Sequence, residues 1–591
     1  MIVSIRTVLG ALTLTASAAL PVAAQDTRPN ILIVLFDDVG FTGLGAYGAD
    51  AKTPHVDALA QSGALFSRYY TSPFCGPSRA MLMTGLDNHQ TGIGTLVESV
   101  TPEQLELPAY SMLWDENQTT VASLLSEAGY QTYVTGKWGI GAKGKNLPDR
   151  FGFERSYVMD STGGSNYDHT HYLPGYPEVP WYEDGKPVRL PEGFYSSRNL
   201  VDQMIRYIDE GDADQPFFGF LALQAVHIPV QAPAEFIDKY DGVFDKGWDV
   251  MREERWQRAI KLGLVPPTTT LAPVHEDHRA WDDLSVQEKA EAARAMQVNA
   301  GMKEAADFHI GRLLDHLEDS GKLENTIVVV TSDNGAESGV VGLENPVVNT
   351  LLSGIHRIEG LDTSYENMGL PGSLTAIGPE WASVEASPFN LYKFYSSEGG
   401  LRVPLVMAGP GVNVTGVQDA PVHVTDLMPT LLDAAGVAYD ADALYGQSIL
   451  PFLSGASTKT RGPDKSFGFE VSGNAALYRG NWKLVRTALP RGDFTWRLFD
   501  LSVDPGETTD LSSQNPELFT EMRAEYEAYA DETGVLELGP EDYAEAQVFS
   551  NLLEKVIPKY WPYLAGLVLA LLGGLYGLLR LVRMFVRRPA N

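Results

Sequence analysis

The side chains best suited to chemistry stand directly behind apolar runs. Asp37-Asp38 follow Ile31–Phe36, Lys137 follows Gln131–Thr135, His227 lies just past Phe217–Leu223, and Asp333-Asn334 follow Thr326–Thr331. Continuous apolar runs of this length read as buried parallel strands. Open α/β sheets bind their ligands beyond the carboxyl ends of such strands, so these polar residues are predicted to converge on one crevice. One aspartate behind a strand is ordinarily a turn residue or a helix cap. Two acidic pairs at equivalent strand ends, with a lysine and a histidine, point instead to a site. Asp37, Asp38, Asp333 and Asn334 offer only oxygen, the donor set of a hard cation such as Ca²⁺ or Mg²⁺ and not of zinc. A divalent cation would also relieve the mutual repulsion of three gathered carboxylates.

The chain has a single cysteine, Cys75. In an exported protein it has no partner for an internal disulfide, so its presence calls for another explanation. The stretch Pro73-Phe74-Cys75-Gly76-Pro77-Ser78-Arg79, followed by Met81-Leu82-Met83-Thr84-Gly85, resembles the core signature of the type I sulfatases, within the alkaline phosphatase superfamily. Gly129-Tyr130-Gln131-Thr132 with Gly136-Lys137-Trp138 resembles their second signature. Ala225-Val226-His227-Ile228-Pro229, Ser332-Asp333-Asn334-Gly335-Ala336-Glu337, and Leu391-Tyr392-Lys393 with Gly399-Gly400-Leu401-Arg402-Val403-Pro404 match as well. The last block, with Gly378-Pro379-Glu380-Trp381-Ala382 before it, looks most like bacterial arylsulfatases.

The resemblance implies a sulfuric ester hydrolase of arylsulfatase type. In that family the cysteine is oxidised by a formylglycine-generating enzyme, and the hydrated aldehyde attacks sulfur. It also implies one calcium ion, held by Asp37, Asp38, Asp333 and Asn334 and by formylglycine 75. Arg79 would hold the formylglycine, Lys137 and Lys393 would grip sulfate oxygens, and His227 would sit at the leaving oxygen. A hydrated aldehyde has one hydroxyl to attack and a second whose deprotonation expels sulfate, while the metal and the cations neutralise charge on the sulfate. The family's second signature normally continues G-K-W-H, whereas here Gly139 follows Trp138. The role of the missing histidine then falls to water, to His169 or His171, or to nothing. Two other readings stay open: a phosphate or phosphonate monoester hydrolase on the same scaffold, and a non-catalytic binder of sulfate esters if Cys75 is unmodified.

Composition limits the partners. With 44 Lys and Arg against 76 Asp and Glu, the net charge is −32. No nucleic-acid partner is expected of such a surface, since phosphate contacts need basic residues. An anionic small-molecule substrate must be drawn in by local Lys and Arg.

The positioning elements follow from the pattern. Apolar runs alternate with helical stretches, Val121–Ala128, Glu288–Asp319 and Val424–Ala435 among them, and Val403–Ala408 is a further strand. This predicts an α/β fold: a large mixed, mostly parallel sheet sandwiched by helices. Past Tyr439, short runs at Ala475–Tyr478, Trp482–Arg486 and Arg497–Leu501 predict a smaller C-terminal antiparallel sheet, closed by a helix at Pro516–Glu532. Tyr172–Phe194 and Gly335–Ser387 read as long loops walling a pocket. The expected division is a signal peptide over 1–24, a catalytic domain over 28–438, a C-terminal subdomain over 439–535, and an acidic stem over 536–558. Tyr560 to Leu579 is free of charge, which predicts a transmembrane helix over 560–580 and a cytoplasmic tail over 581–591. The resulting location is an inner membrane, anchored by the C-terminal helix, with the catalytic domain in the periplasm.

Overall fold

The computed structural model describes residues 27–339, 353–462 and 464–586. Its strands are β1 (Asn30–Phe36), β2 (Ala64–Tyr70), β3 (Gln131–Lys137), β4 (Arg155–Met159), β5 (Trp181–Glu183), β6 (Lys186–Pro187), β7 (Phe217–Ala222), β8 (Thr326–Ser332), β9 (Arg402–Ala408), β10 (Gly416–Gln418), β11 (Val422–His423), β12 (Phe467–Val471), β13 (Asn474–Arg479), β14 (Trp482–Arg486) and β15 (Trp496–Asp500). The first eleven form one mixed sheet in the order β10-β2-β9-β8-β1-β7-β3-β4-β5-β6, with β11 also on β2. From β8 to β4 the neighbours are parallel, and β9 and β5 close this run antiparallel on either side.

Register is what matters for the site. Phe36 pairs with Ser332, Leu35 with Ala222, and Gly136 with Ala222, so β8, β1, β7 and β3 end level with one another. Both faces of the sheet are buried because alternate residues of β1 feed different cores. Leu32, Val34 and Phe36 pack on one side, where the helix Val286–Asp319 contributes Met296, Ile310, Leu313 and Leu317. Ile31, Ile33 and Leu35 pack on the other, against Ala80, Met81 and Met83 of the helix Cys75–Thr84. The long helix starts at a reciprocal cap, Ser285 with Glu288, which satisfies two backbone donors that a helix start otherwise leaves open.

The second sheet, β12-β13-β14-β15, is antiparallel and carries the helix Pro516–Thr533 on one face through Met522, Tyr526 and Tyr529. Buried ion pairs join the two sheets. Glu398, just ahead of β9, accepts from Tyr478 Oη at 2.7 Å and pairs with Lys483 Nζ at 3.0 Å. On the other side His89 bridges Asp87 at 2.9 Å and Glu470 of β12 at 3.0 Å, and Tyr529 donates to Asp87 at 2.8 Å.

The mixed sheet and the smaller antiparallel sheet agree with expectation. The transmembrane helix does not: among the described residues no helix is long and apolar enough to cross a membrane. Membrane anchorage, an inner-membrane location and a membrane partner are corrected with it. The run over 560–580 belongs to a longer helix, Ala544–Val586, with Pro558 and Pro562 inside it. Its first turns lie against the loops around the large sheet, where Val548, Leu552, Val556 and Tyr560 are buried at a four-residue spacing. The residues expected to form a stem are thus partly the start of this helix. The signal peptide over 1–24 and residues 587–591 of the tail lie outside the described residues.

The His89 bridge is sensitive to pH. Burial opposes its charge, but the hydrogen bonds it donates to Asp87 and Glu470 prevail and push its pKa up from 6.5 to about 9. A raised folded-state pKa gives stability that is complete below pH 6.5 and is lost as pH rises through about 9. The expected loss is at most roughly 3–4 kcal/mol, since each tenfold gain in proton affinity is worth about 1.4 kcal/mol. Thermal melts from pH 6 to 10 should show a fall for the wild type that His89→Gln largely lacks; parallel curves would refute the assignment.

Candidate active site

Every residue predicted to converge does so. Asp37 and Asp38 leave the end of β1, and the bend there is held by backbone bonds: Asp37 N to Ala225 O at 2.8 Å and Val226 N to Asp37 O at 2.6 Å. Asp38 sits at a φ of 66°, the left-handed region that aspartate tolerates better than most residues. Its amide donates to Asp333 Oδ1 at 3.2 Å, and Asn334 Nδ2 donates to Asp38 Oδ1 at 2.6 Å. The ends of β1 and β8 are thereby tied through their own acidic pairs.

Cys75 opens a ten-residue helix that follows β2, at the end where partial positive charge gathers. One turn on, Arg79 is wholly buried and donates to Asp333 Oδ2 from Nε at 2.8 Å, with a second nitrogen at 2.7 Å and a third bonding Lys137 O at 2.5 Å. Lys137, the last residue of β3, has Nζ 2.6 Å from Asp37 Oδ2 and 3.5 Å from Cys75 Sγ. Lys393 arrives on a loop pinned by its own amide to Ala336 O at 3.1 Å and by Phe394 N to Pro73 O at 3.2 Å. Its Nζ is 2.8 Å from Asp38 Oδ1.

His227 donates from Nδ1 to Ile228 O at 2.7 Å, because a carbonyl can only accept. Nε2 therefore faces Glu337 at 3.5 Å and Asp38 at 3.8 Å. The ring stands edge-on to Tyr172 at 5.3 Å, and a Cβ on Gly163 would come within 2.4 Å of it, so only glycine leaves it room.

Burial dominates the electrostatics. It pushes the Asp37 carboxyl up to about 8 despite Lys137 beside it. It acts likewise on Asp38, but there the Lys393 ammonium prevails and holds the group well below the carboxylate range. Burial, seconded by Lys137, keeps His227 neutral, and burial raises the Cys75 thiol to about 11. A bare thiol here is protonated near neutral pH, which argues against a thiolate nucleophile.

The cluster has the donors of a metal site. Asp37, Cys75 and Asp333 bring ligand atoms within 4.8 Å of one another, as do Asp37, Asp38 and His227. Three wholly buried oxygens, Asp37 Oδ1, Asp38 Oδ2 and Asn334 Oδ1, have no hydrogen-bond partner. Buried polar atoms are rarely left so, and a hard cation among them would satisfy all three.

Two residues that sequence reasoning passes over belong here. Glu337 lies between His227 and Lys393 and is visible in the sequence only as part of a matched motif. Glu98 comes from a loop with no strand before it to advertise it. It lines both the Cys75 cleft and a narrow cavity beside Gly139, and its Oε2 has no hydrogen-bond partner. Gly139 itself has a φ of 63°, and a Cβ there would lie 3.3 Å from Lys137 Cε. Neither alternative histidine lines the Cys75 cleft. His169 is held by Val179 O at 3.0 Å and Leu190 N at 3.2 Å. His171 is engaged by Leu173 N at 3.0 Å and by Ser161 and Lys143 at 3.3 Å.

Strand-end carboxylates around a buried cysteine, framed by two lysines and an arginine, define a class. The chain belongs to the sulfatase family: the Sulfatase family profile matches residues 29–437, and that of the N-sulphoglucosamine sulphohydrolase C-terminal region matches residues 390–531. It is 32% identical to an uncharacterised sulfatase of Schizosaccharomyces pombe, over 89% of this chain and 97% of that protein. It is also 32% identical to an arylsulfatase of Klebsiella aerogenes, over 75% of this chain and 94% of the relative. Among solved structures, a protein in complex with k-i-k-neocarrahexaose shares the fold at a TM-score of 0.62 and 24% identity, covering 90% of this chain and 98% of the other.

Removal of divalent cations should leave the carboxylates at odds. Calcium added to EDTA-treated protein at a hundredfold excess over its Kd is expected to stabilise by about 2.7 kcal/mol, read as a rise in Tm. Asp38→Ala should abolish the rise and also strand Lys393, costing roughly 3–5 kcal/mol. An unchanged Tm on adding calcium to the wild type would remove the metal from the site.

Proposed function

We propose that this family member hydrolyses sulfate monoesters of arylsulfatase type, giving an alcohol or phenol and sulfate, at the cluster around position 75. The observation that carries the reading is the cradle of unpartnered buried oxygens on Asp37, Asp38 and Asn334 beside Cys75, flanked by Lys137 and Lys393. It joins a seat for a hard cation to cations for an anion, in a chain whose overall charge repels anions.

Asp37, Asp38, Asp333 and Asn334 would hold calcium, whose charge would offset that of the sulfate group. Cys75 would carry the formylglycine that a formylglycine-generating enzyme makes from it, and the hydrated aldehyde would supply the nucleophilic hydroxyl. The remaining work falls to the chain's own side chains. Lys137 and Lys393 bind and orient sulfate oxygens, and their charge counters what accumulates there as the S–O bond lengthens. Arg79 positions residue 75 by fixing Asp333 and the Lys137 carbonyl. His227 acts as general acid once Nε2 is protonated, and Glu337 beside it, whose carboxyl burial pushes well above the usual carboxylate range, supplies that proton for the leaving oxygen. Lys137, His227, Asp333 and Lys393 sit at 3% exposure or less, so the reacting group is shielded from bulk water.

Two measurements test this. Mass spectrometry of the peptide containing position 75, from active protein of the native source, should show an aldehyde in place of the thiol; unmodified cysteine alone would overturn the mechanism. On the same material, 4-nitrophenyl sulfate should be cleaved at least a hundredfold faster than 4-nitrophenyl phosphate, and Cys75→Ala should abolish turnover. The reverse order of rates would instead support a phosphate monoesterase on this scaffold.

A further inference from the structure

The cleft at Cys75 has a polar part and an apolar part. His227 and Lys393 line it with Cys75, whereas Leu96, Tyr172 and Val548 give it an apolar wall. Val548 comes from the helix Ala544–Val586, beyond residue 531, where the match to the family ends. This part of the wall is therefore supplied by a segment outside the region that this chain has in common with the family profile.

The helix is fixed against the loops that shape the cleft. Leu552, Val556 and Tyr560 share an apolar cluster with Tyr172, Leu173 and Ile228, the last adjoining His227. Asn551 Nδ2 donates to Glu98 O at 2.9 Å, on the loop that also supplies Leu96. Tyr395 donates to Glu545 at 2.5 Å, two residues on from Lys393. At the far end Lys559 pairs with Glu359 at 2.6 Å, and Glu359 also accepts from Gly175 N at 3.1 Å. Tied at four places, the helix holds Val548 at a set distance from Cys75 and cannot simply retreat from a larger substrate.

We propose that Val548 is a specificity-determining residue, whose side chain limits the organic part of the sulfate ester to a compact apolar group such as a single aromatic ring. The inference rests on the sulfatase reading above. A branched side chain held on a helix fills space that a second fused ring would need. The sulfate end is gripped elsewhere, so Val548 acts on the leaving group alone.

The test compares 4-nitrophenyl sulfate with 4-methylumbelliferyl sulfate, one ring against two, on the full chain as wild type, Val548→Ala and Val548→Phe. Val548→Ala should raise the two-ring to one-ring ratio of kcat/KM at least threefold, and Val548→Phe should lower it at least tenfold, chiefly through KM. Inhibition by inorganic sulfate should stay within twofold in both, because its contacts are untouched. A merely structural role would depress both substrates in proportion, so ratios within twofold of wild type overturn the proposal. If Val548→Phe does not fold, the ratio for Val548→Ala decides alone. A wild type that cleaves neither ester overturns the sulfatase reading, and this inference with it.

Discussion

Like charge gathered out of water is the constraint on which the rest of the molecule depends. Asp37, Asp38 and Asp333 are each 2% exposed or less, at neighbouring strand ends. Unpaired carboxylates so buried would unfold their surroundings or lose their charge. The fold answers with Arg79, Lys137 and Lys393, each brought from a different element and each buried as deeply. The level ending of β8, β1, β7 and β3, the left-handed turn at Asp38 and the pinning of the Lys393 loop to Ala336 and Pro73 all serve to keep opposite charges within about 3 Å of one another. Where protein donors run out, three oxygens remain open, and a hard cation would satisfy them.

The strand ends are legible in the sequence because buried parallel strands leave an apolar run that ends abruptly in charge. Ile31–Phe36 before Asp37 and Thr326–Thr331 before Asp333 carry that mark, and the structure extends these runs only to Asn30 and Ser332. Val424–Ala435 reads as one helix and begins instead with a short 3-10 turn over Val424–Asp426, stabilised by the His423–Asp426 cap. β2 leaves no such mark. Its run Ala64–Tyr70 is interrupted by Ser67 and Arg68, polar residues that find partners in Asp419 and Asn481 far along the chain.

Glu98, Glu337 and Val548 show where local pattern stops. Each owes its place at the cleft to contacts far along the chain. The apolar run near the C-terminus misleads for the opposite reason: its lack of charge is conspicuous, while the four-residue spacing of Val548, Leu552, Val556 and Tyr560 that leads into it is not. That spacing is the stripe of a helix lying against protein. Pro558 interrupts neither, because the helix continues through it on contacts made by the residues to either side.

The helix that walls the cleft is also made long after the residues it faces. A ribosome adding roughly 5–20 residues per second needs tens of seconds to travel from Cys75 to Val548. For most of that interval the helix that Cys75 opens, Arg79 and the first carboxylates can assemble, while the Val548 side of the cleft is still unwritten. Completion of the pocket is thus a late, vectorial event, and a chain that stops short near residue 535 would carry the whole charge cluster behind an open door.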